Sequence, residues 1–270
     1  MPANGLHATL GRTGIPVFRL GVAASYRPGE RAIRRALDEG VNYLFCYGFD
    51  SQMIRVVRSM TADARQKAVV ATGAYSYLWF HQDLRKTLEK RLRQLRADYI
   101  DVFHFLGALR DSQLDAKVRD DLAALREDPR VRAVSVSCHN HELSARLAAE
   151  GAVDCLMTRY NAAHRGAEST VFPEVQRHGI GSITFTATRW SFLARRTKGW
   201  PQSRPIPSAG DCYRFALSHP AVDVCLTAPT SERQLIDNLA AVRRGPLDED
   251  ELAWMRDYGA QVERNAGFFL

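Results

Sequence analysis

Four side chains near the ends of predicted strands have the chemistry to move protons or to stabilise negative charge. Tyr47 carries a phenol, and His104 and His139 carry imidazoles. Arg159 adds a permanent positive charge. A phenol or an imidazole can act as a general acid or base, and a guanidinium can hold an anion. Carboxylates and lysines are almost absent from these strand ends, so the charged partners that usually tune such groups are scarce.

Each of these residues also has a purely structural interpretation. Tyr47 either donates a proton as an unassisted phenol or closes the rim of the fold with a half-buried ring. His139, which is followed closely by His141, either serves as an acid, a base or a substrate donor, or is a loop histidine without chemistry. Because no carboxylate or third ligand lies nearby in the sequence, these two histidines predict no metal site.

His104 and Arg159 also leave two interpretations each. Since side chains alternate along a strand, His104 shares the direction of Leu106 and is expected to point into the interior. There it either replaces a substrate-orienting imidazole or is a core histidine satisfied by a hydrogen bond. Arg159 either supplies a positive charge near the strand ends or forms a surface salt bridge. Cys46 and Cys138 are assigned to packing, because no adjacent base is evident that would activate a thiol.

A regular alternation of strands and helices positions these side chains. Apolar or β-branched runs predict strands at 19–23, 41–46, 69–72, 99–105, 131–137, 153–158, 181–186 and 222–226. Apolar residues three or four apart predict helices at 30–39, 83–95, 114–126, 142–149, 169–177 and 231–243. Eight strands spaced as successive βα units predict an α/β fold, a closed (β/α)8 TIM barrel, whose chemistry lies where strands run into loops. No GxGxxG follows the first strand, which excludes the usual Rossmann nucleotide site.

Several local signals complete this fold. Residues 10–17 alternate around a Thr-Gly turn and predict an N-terminal β-hairpin that closes the bottom of the barrel. Ser231 and Gln234 have the spacing of a capping box. After Pro246, acidic residues precede an apolar pattern typical of an extra C-terminal helix packed outside the barrel. Segment 199–209, rich in Pro and Ser, is predicted to be a long irregular loop.

The composition is typical of one globular domain, which we assign to residues 1–270. Apolar residues make up 46% and charged residues 25% of the chain, and no apolar run reaches the length of a membrane span. The N-terminus lacks a secretory pattern, and the five cysteines are widely spaced and never form a CxxC pair. We therefore expect a cytoplasmic protein with reduced thiols and no membrane association. The oligomeric state stays open.

The net charge of +7 raises the question of a nucleic-acid partner. The densest basic run, residues 85–96, lies on a predicted helix whose leucines mark a buried stripe. Its cations are therefore interpreted as a solvated face, and we expect no nucleic-acid partner. A second basic cluster, within residues 189–204, either holds phosphates near the barrel mouth or is a solubilising loop.

Several fragments of the sequence resemble landmarks of the aldo-keto reductases. They are LGRTG at 10–14, RLG at 19–21, ALDEGVN at 36–42, LRQL at 92–95 running into DYIDV at 98–102, VRAVSVS at 131–137, YN at 160–161 and QLIDN at 234–238. Each fragment is weak alone, but together they occur in order and at suitable spacing from about Leu10 to Asn238. The resemblance implies the same barrel that the periodicity predicts.

The resemblance also implies a reaction, the reduction of a small carbonyl compound by NADP(H) or NAD(H) bound across the barrel mouth. Such reductases use an Asp, Tyr, Lys and His set, in which a cation lowers the pKa of the tyrosine. This chain resembles the pattern at Tyr47, although after a shorter loop. Phe45, Gly73 and Leu106 stand where the family has Asp, Lys and His. The usual mechanism therefore does not transfer unchanged.

By the same resemblance, a set of residues is assigned to cofactor and substrate. Phe185 takes the place of the ring that stacks on nicotinamide, Ser137 that of a serine that binds its carboxamide, and Met157 replaces a Gln. The other cofactor candidates are Thr186, Arg189 and Trp190 at the diphosphate and Thr230, Ser231, Arg233, Gln234 and Asn238 at the adenosine end. The substrate candidates are Phe45, His104 and Arg159.

Three functions are compatible with this pattern. The leading hypothesis is an aldo-keto-reductase-like oxidoreductase with atypical or reduced activity, in which Tyr47 or His139 handles the proton. The second is a catalytically silent relative that binds a nucleotide or small ligand. The third is a non-redox lyase or isomerase built on the same barrel.

Overall fold

Eight parallel strands close into a barrel in the computed structural model, which describes residues 5–77 and 80–266. Two short strands, β1 (His7–Thr9) and β2 (Pro16–Phe18), precede the barrel. The barrel strands are β3 (Leu20–Ala23), β4 (Tyr43–Phe45), β5 (Val69–Tyr75), β6 (Ile100–Ala108), β7 (Val131–Cys138), β8 (Cys155–Arg159), β9 (Gly181–Phe185) and β10 (Val224–Thr227). They pair in chain order, and β10 returns to pair with β3. The predicted TIM barrel is confirmed.

Helices alternate with these strands. They are α1 (Glu30–Asp38), α2 (Ser51–Arg58), α3 (Ala62–Lys67), α4 (Leu84–Leu95), α5 (Ala116–Arg126), α6 (His141–Ala149), α7 (Val171–His178), α8 (Ala209–Ser218), α9 (Glu232–Val242) and α10 (Glu249–Asn265). The extra C-terminal helix α10 is present as predicted. It buries Met255, Tyr258 and Val262 on one face.

Helix α4 has the buried leucine stripe that the sequence predicts, with one exception among its cations. Its leucines are buried, and Asp83 caps the helix by accepting the Lys86 N–H. Arg91, however, is only 3% exposed. Its Nε donates to the Gly73 carbonyl at 3.2 Å, and its Nη1 donates to Gln94 at 2.9 Å. The interpretation of residues 85–96 as a wholly solvated basic face is therefore wrong at this position.

The N-terminal hairpin closes the bottom of the barrel. Strand β1 pairs antiparallel with β2, and Leu10, Ile15 and Val17 join the apolar cluster inside the barrel. Gly11 is required at the turn, because a Cβ there would lie 2.3 Å from the backbone nitrogen of Gly181. Its N–H donates to the Asp223 carboxylate at 3.0 Å. The hairpin therefore packs directly against the barrel.

Asn42 bonds the hairpin to the barrel, and its loss should weaken the fold. Its Oδ1 accepts the Phe18 N–H at 2.7 Å, and its Nδ2 donates to the Pro16 carbonyl at 2.9 Å. We expect Asn42→Ala to lower the free energy of unfolding by about 2 kcal/mol, because two backbone groups lose their partner. Chemical denaturation measures this value. Asn42→Asp keeps the acceptor and loses the donor, so its free energy of unfolding should lie between those of the parent and of Asn42→Ala. An Ala variant as stable as the parent would show that these two hydrogen bonds do not stabilise the fold.

Three helices and one cap differ from the sequence-based expectation. Helices α2, α3 and α8 were not predicted, and the irregular segment is longer than expected, from 186 to 208 with one 3-10 turn at Phe192–Ala194. Ser231 caps α9 by accepting the Gln234 N–H at 3.3 Å. The reciprocal half of the capping box is absent there, because the Gln234 side chain accepts the N–H of Thr230 instead.

Three observations bear on the broader sequence expectations. The five cysteines are buried free thiols. Across residues 5–77 and 80–266, no helix combines the length and the apolar character needed to cross a bilayer. Within the same residues, no cluster of three or more His, Cys, Asp or Glu side chains could hold a metal ion.

Candidate active site

A groove of about 630 Å³ opens where the barrel strands end. Its inner end is lined by Tyr47, Met157, Phe185 and Leu226, which belong to the apolar cluster inside the barrel or pack against it. Tyr47 follows β4, and the other three lie on β8, β9 and β10. The C-terminal ends of barrel strands are where TIM-barrel enzymes carry their chemistry, and the volume is typical of a small-molecule site.

The outer end of the groove lies between α8 and α9. It is lined by Gly210 from α8 and by Gln234, Asp237, Asn238 and Ala241 from α9. A Cβ on Gly210 would lie 2.3 Å from the Cβ of Ala241, so glycine allows the two helices to approach closely. Asn238 is held in place, because its Nδ2 donates to Thr227 at 3.1 Å.

The segment that joins the two ends has an unusual backbone. Thr186, Arg189, Trp190 and Ser191 have φ values of 57°, 48°, 52° and 69°, in the left-handed region that non-glycine residues rarely adopt. The buried Asn161 side chain holds the start of this segment by donating to the Thr186 carbonyl at 2.9 Å. Such conformations cost of order 1 kcal/mol or more each, and they persist mainly at functional sites.

Tyr47 sits at the inner end of the groove among other aromatic rings. Its ring meets Phe45 edge-on with the centroids 4.7 Å apart and is stacked with Tyr75 at 6.3 Å. Burial, and then the neighbouring Tyr26 and Asp50, raise the pKa of the Tyr47 phenol. Tyr47 therefore stays protonated across the physiological pH range.

Phe45 and His104 lie beneath the groove. Neither has exposed surface, and their ring centroids are 5.3 Å apart. His104 points into the barrel, where its Nε2 lies 3.3 Å from the Tyr43 hydroxyl. Burial lowers the pKa of His104 to about 3, so the ring is neutral. Neither residue lines the groove, and contact with a substrate would require them to move.

Gly73, in the position where the resemblance places a lysine, is packed against the neighbouring strand. A Cβ built on it would lie 1.9 Å from the His104 carbonyl oxygen. Among the described residues that line the groove there is no lysine, arginine or histidine, and Asp237 is the one carboxylate. The groove therefore offers a substrate or cofactor mainly neutral polar and aromatic groups.

His139, His141 and Arg159 come together beside Phe185. Arg159 and Phe185 are register partners on β8 and β9, and the His139 ring lies 5.3 Å from the Phe185 ring. Burial, and then the positive charge of Arg159, lower the pKa of His139. Burial is also the main cause that lowers the pKa of His141, and the backbone of Arg159 acts on this pKa in the opposite direction to burial. Both rings are therefore neutral near pH 7 beside a permanent cation.

The structure separates the remaining predicted residues into two groups. Thr186, Trp190, Thr230, Gln234 and Asn238 line the groove. Ser137, Arg189, Ser231 and Arg233 do not. Ser137 and Arg189 are buried, the Ser231 hydroxyl caps α9, and Arg233 is an exposed side chain 3.9 Å from Asp237.

Several lining residues were missed by the sequence reasoning. Ser25 and Tyr26 follow strand β3, so the strand-end rule applied to the first barrel strand would have found them. Tyr213, Asp237 and Ala241 lie on α8 and α9. No local pattern marks these helical residues, because they reach the groove only through the packing of two helices.

Comparisons with known proteins agree with this architecture. The model of the Aldo/keto reductase family matches residues 22–208. The holo form of an aldo-keto reductase from Bacillus halodurans superposes with a TM-score of 0.75 at 20% identity, covering 97% of this chain and 98% of that one. A Pseudomonas aeruginosa structure described within the same family gives 0.71 at 19% identity, covering 89% and 95%. No curated protein sequence matches the chain.

Proposed function

The chain belongs to the aldo/keto reductase family, and from that premise we propose that it binds a nicotinamide dinucleotide in the groove and reduces a small carbonyl compound. The observation that carries the proposal is the continuity of the groove, which runs from Tyr47 and Phe185 at the strand ends to Gln234 and Asn238 on α9. An elongated site with an aromatic end and a polar end fits a ligand with two ring systems joined by a diphosphate.

From one end of the groove to the other, its residues suit the successive parts of such a ligand. Phe185 and Met157 offer a flat apolar surface for nicotinamide, with Ser137 paired to Met157 on the adjacent strand. The strained segment 186–191 would hold the diphosphate through backbone N–H groups and hydroxyls, with Trp190 beside it. Thr230, Gln234 and Asn238, which line the outer end of the groove, would surround the adenosine, and Ser231 and Arg233 lie beside them in the chain. Bound there, the dinucleotide supplies the hydride.

Tyr47 is the residue we assign to the proton. It lines the groove at the same end as Phe185, where a reacting carbonyl would lie. Its raised pKa keeps the proton on the phenol until a strongly basic alkoxide develops. Because no lysine lines the described part of the groove, no cation lowers the barrier to this transfer, and we expect slow turnover.

The outer end of the groove bears on the choice between NAD(H) and NADP(H). Asp237 lines it, and among the described residues the cation that pairs with that carboxylate is Arg233, at 3.9 Å. A 2′-phosphate would meet this carboxylate, whereas a ribose hydroxyl could donate to it. We therefore propose that NAD(H) is the better ligand.

Titration of the protein with NADH and NADPH, followed by nicotinamide fluorescence, tests the proposal. We expect saturable binding of NADH at micromolar concentrations and weaker binding of NADPH. Addition of a carbonyl substrate should then oxidise the bound NADH. No binding of either dinucleotide would refute the proposed function.

Phe185→Ala provides a test of the nicotinamide position. Removal of a ring that stacks on an aromatic base costs roughly 1–3 kcal/mol, so we expect the Kd for NADH to rise about tenfold. Phe192→Ala is the matched control, because Phe192 is an exposed ring a few residues further along the chain that does not line the groove. Equal affinities for the two variants would place nicotinamide elsewhere.

A silent relative that binds the dinucleotide without turnover is the second candidate. It is favoured by the raised pKa of Tyr47 and by the lack of a cation among the described lining residues. Binding of NADH without its oxidation by any of a panel of aldehydes and ketones would support this alternative. Cytoplasmic location and a single domain across residues 1–270 stay predictions.

A further inference from the structure

Two of the three guanidinium nitrogens of Arg159 are buried without a hydrogen-bond partner among the described residues. Its Nε and Nη2 are inaccessible to solvent and form no hydrogen bond with any described residue. The Trp190 ring lies 5.2 Å from the guanidinium carbon and is one of the groups that cover it. Loss of water without a replacement partner costs free energy, and it does so most for a charged group. Buried donors of this kind usually face a hydrogen-bond acceptor, and a bound ligand can supply one.

The charges around Arg159 point to the sign of that ligand. Burial is the main cause that lowers the pKa of Arg159, and the neighbouring charge that acts on it is a second cation, Arg189. His139 feels the positive charge of Arg159 in turn. Arg189 is itself acted on by the carboxylate of Glu263, whereas no described carboxylate acts on Arg159. An anionic ligand would supply the counter-charge that Arg159 lacks among the described residues.

The position of Arg159 distinguishes between the possible sources of an anion. Its register partner is Phe185, the proposed nicotinamide platform, and His139 contacts the same ring. Arg159 does not itself line the groove assigned to the dinucleotide, although Trp190, whose ring lies against its guanidinium, does. Because Arg159 is paired with the proposed nicotinamide platform and lies outside the lining of the groove, we assign an anion at Arg159 to the substrate.

We propose that Arg159, with His139 beside it, binds a carboxylate of the substrate, so that the preferred substrates are 2-oxo acids. A guanidinium donates two parallel N–H hydrogen bonds to a carboxylate. The Trp190 side chain would have to shift to expose the Arg159 guanidinium to the substrate. The inference rests on the proposed function. In the reaction, the ketone carbon gains the hydride of the dinucleotide and the ketone oxygen gains the Tyr47 proton, while the carboxylate is unchanged.

Benzoylformate and its methyl ester provide a matched pair of substrates, because they share the same aryl ketone and differ in the negative charge. For the parent protein we expect kcat/KM to favour benzoylformate. In Arg159→Gln, KM for benzoylformate should rise about 30-fold, and KM for the ester should change little. Arg159→Lys keeps the positive charge but loses the paired N–H donors, so its KM for benzoylformate should lie between those of the parent and of Arg159→Gln. Arg177→Gln is the control, since it removes one exposed positive charge from α7.

A binding measurement separates this inference from the reductase activity. Calorimetry with benzoate and with benzamide, each in the presence and absence of NADH, should detect binding of benzoate and no binding of benzamide. Arg159→Gln should abolish the binding of benzoate. Equal kcat/KM for acid and ester in the parent protein would overturn the proposal. So would an Arg159→Gln variant that loses NADH affinity and keeps its preference for the acid, because the guanidinium would then serve the diphosphate. Failure of NADH to bind at all would instead refute the proposed function, whatever benzoate does.

Discussion

Gly73→Ala should lower the free energy of unfolding by about 4 kcal/mol, although it adds a single methyl group. The added Cβ would lie 1.9 Å from the carbonyl oxygen of His104 and 2.7 Å from its carbonyl carbon. These atoms belong to the backbone of β6, which pairs with β5 in register at this residue. A side chain could rotate away, but here two adjacent barrel strands would have to separate.

Chemical denaturation of Gly73→Ala measures the effect, and Gly29→Ala is its control. Gly29 has a φ of 97° and open space around its Cβ position, so its substitution reports backbone strain without a clash. We expect the control to lose roughly 1–3 kcal/mol. A Gly73→Ala protein as stable as the parent would show that β5 and β6 can part locally.

The packing at Gly73 also explains why the missing cation cannot be restored by one substitution. A lysine at this position begins with the same Cβ, so it meets the same backbone before its amine can reach Tyr47. The guanidinium of Arg91 already donates to the Gly73 carbonyl from the helix side. The barrel wall at Gly73 therefore has no room for a side chain. A Gly73→Lys variant should not place its amine beside Tyr47, so it should not lower the pKa of the tyrosine.

The barrel was predictable from the sequence because its elements carry strong local periodicity. The leucines of α4 and the apolar runs of the strands define their own buried faces. Helix α8 lacks this property, since it buries Cys212, Tyr213, Arg214 and Phe215 in succession. Arg214 is buried because partners far along the chain satisfy its guanidinium: Glu251 at 2.7 Å and the carbonyls of Gly245 and Pro246. No amphipathic period marks such a helix.

The candidate site was predictable where it follows strand ends and where the sequence resembles the family. Tyr47 was found by the first signal, Phe185, Gln234 and Asn238 were found by the second, and all four line the groove. The sequence predicted correctly that His104 points into the interior. It did not reveal the hydrogen-bond partner of this ring, Tyr43, which lies 61 residues away in the chain. The outer end of the groove depends on the close approach of Gly210 and Ala241, which is a property of helix packing alone.

Tyr47→Phe should reduce turnover of a carbonyl substrate at least about 100-fold, because it removes the proton donor that the proposed reaction requires. The affinity for NADH should change less than about twofold, since the ring that stacks beside the groove is retained. Tyr75→Phe is the matched control. Tyr75 is stacked with Tyr47 at 6.3 Å, and its buried hydroxyl has no hydrogen-bond partner among the described residues. Stopped-flow measurement of NADH oxidation reports both variants.

The pH profile of the parent protein then decides between Tyr47 and His139 as the donor. Because burial raises the pKa of Tyr47 above its ordinary value of about 10, the phenol stays protonated and turnover should be level from about pH 7 to pH 9. His139 has a pKa lowered by burial and by Arg159, so as a protonated donor it would be active only on the acid side of about pH 6.5. Turnover that rises steadily as the pH falls below neutrality, together with an active Tyr47→Phe variant, would identify His139 as the proton donor. That result would contradict the assignment of Tyr47.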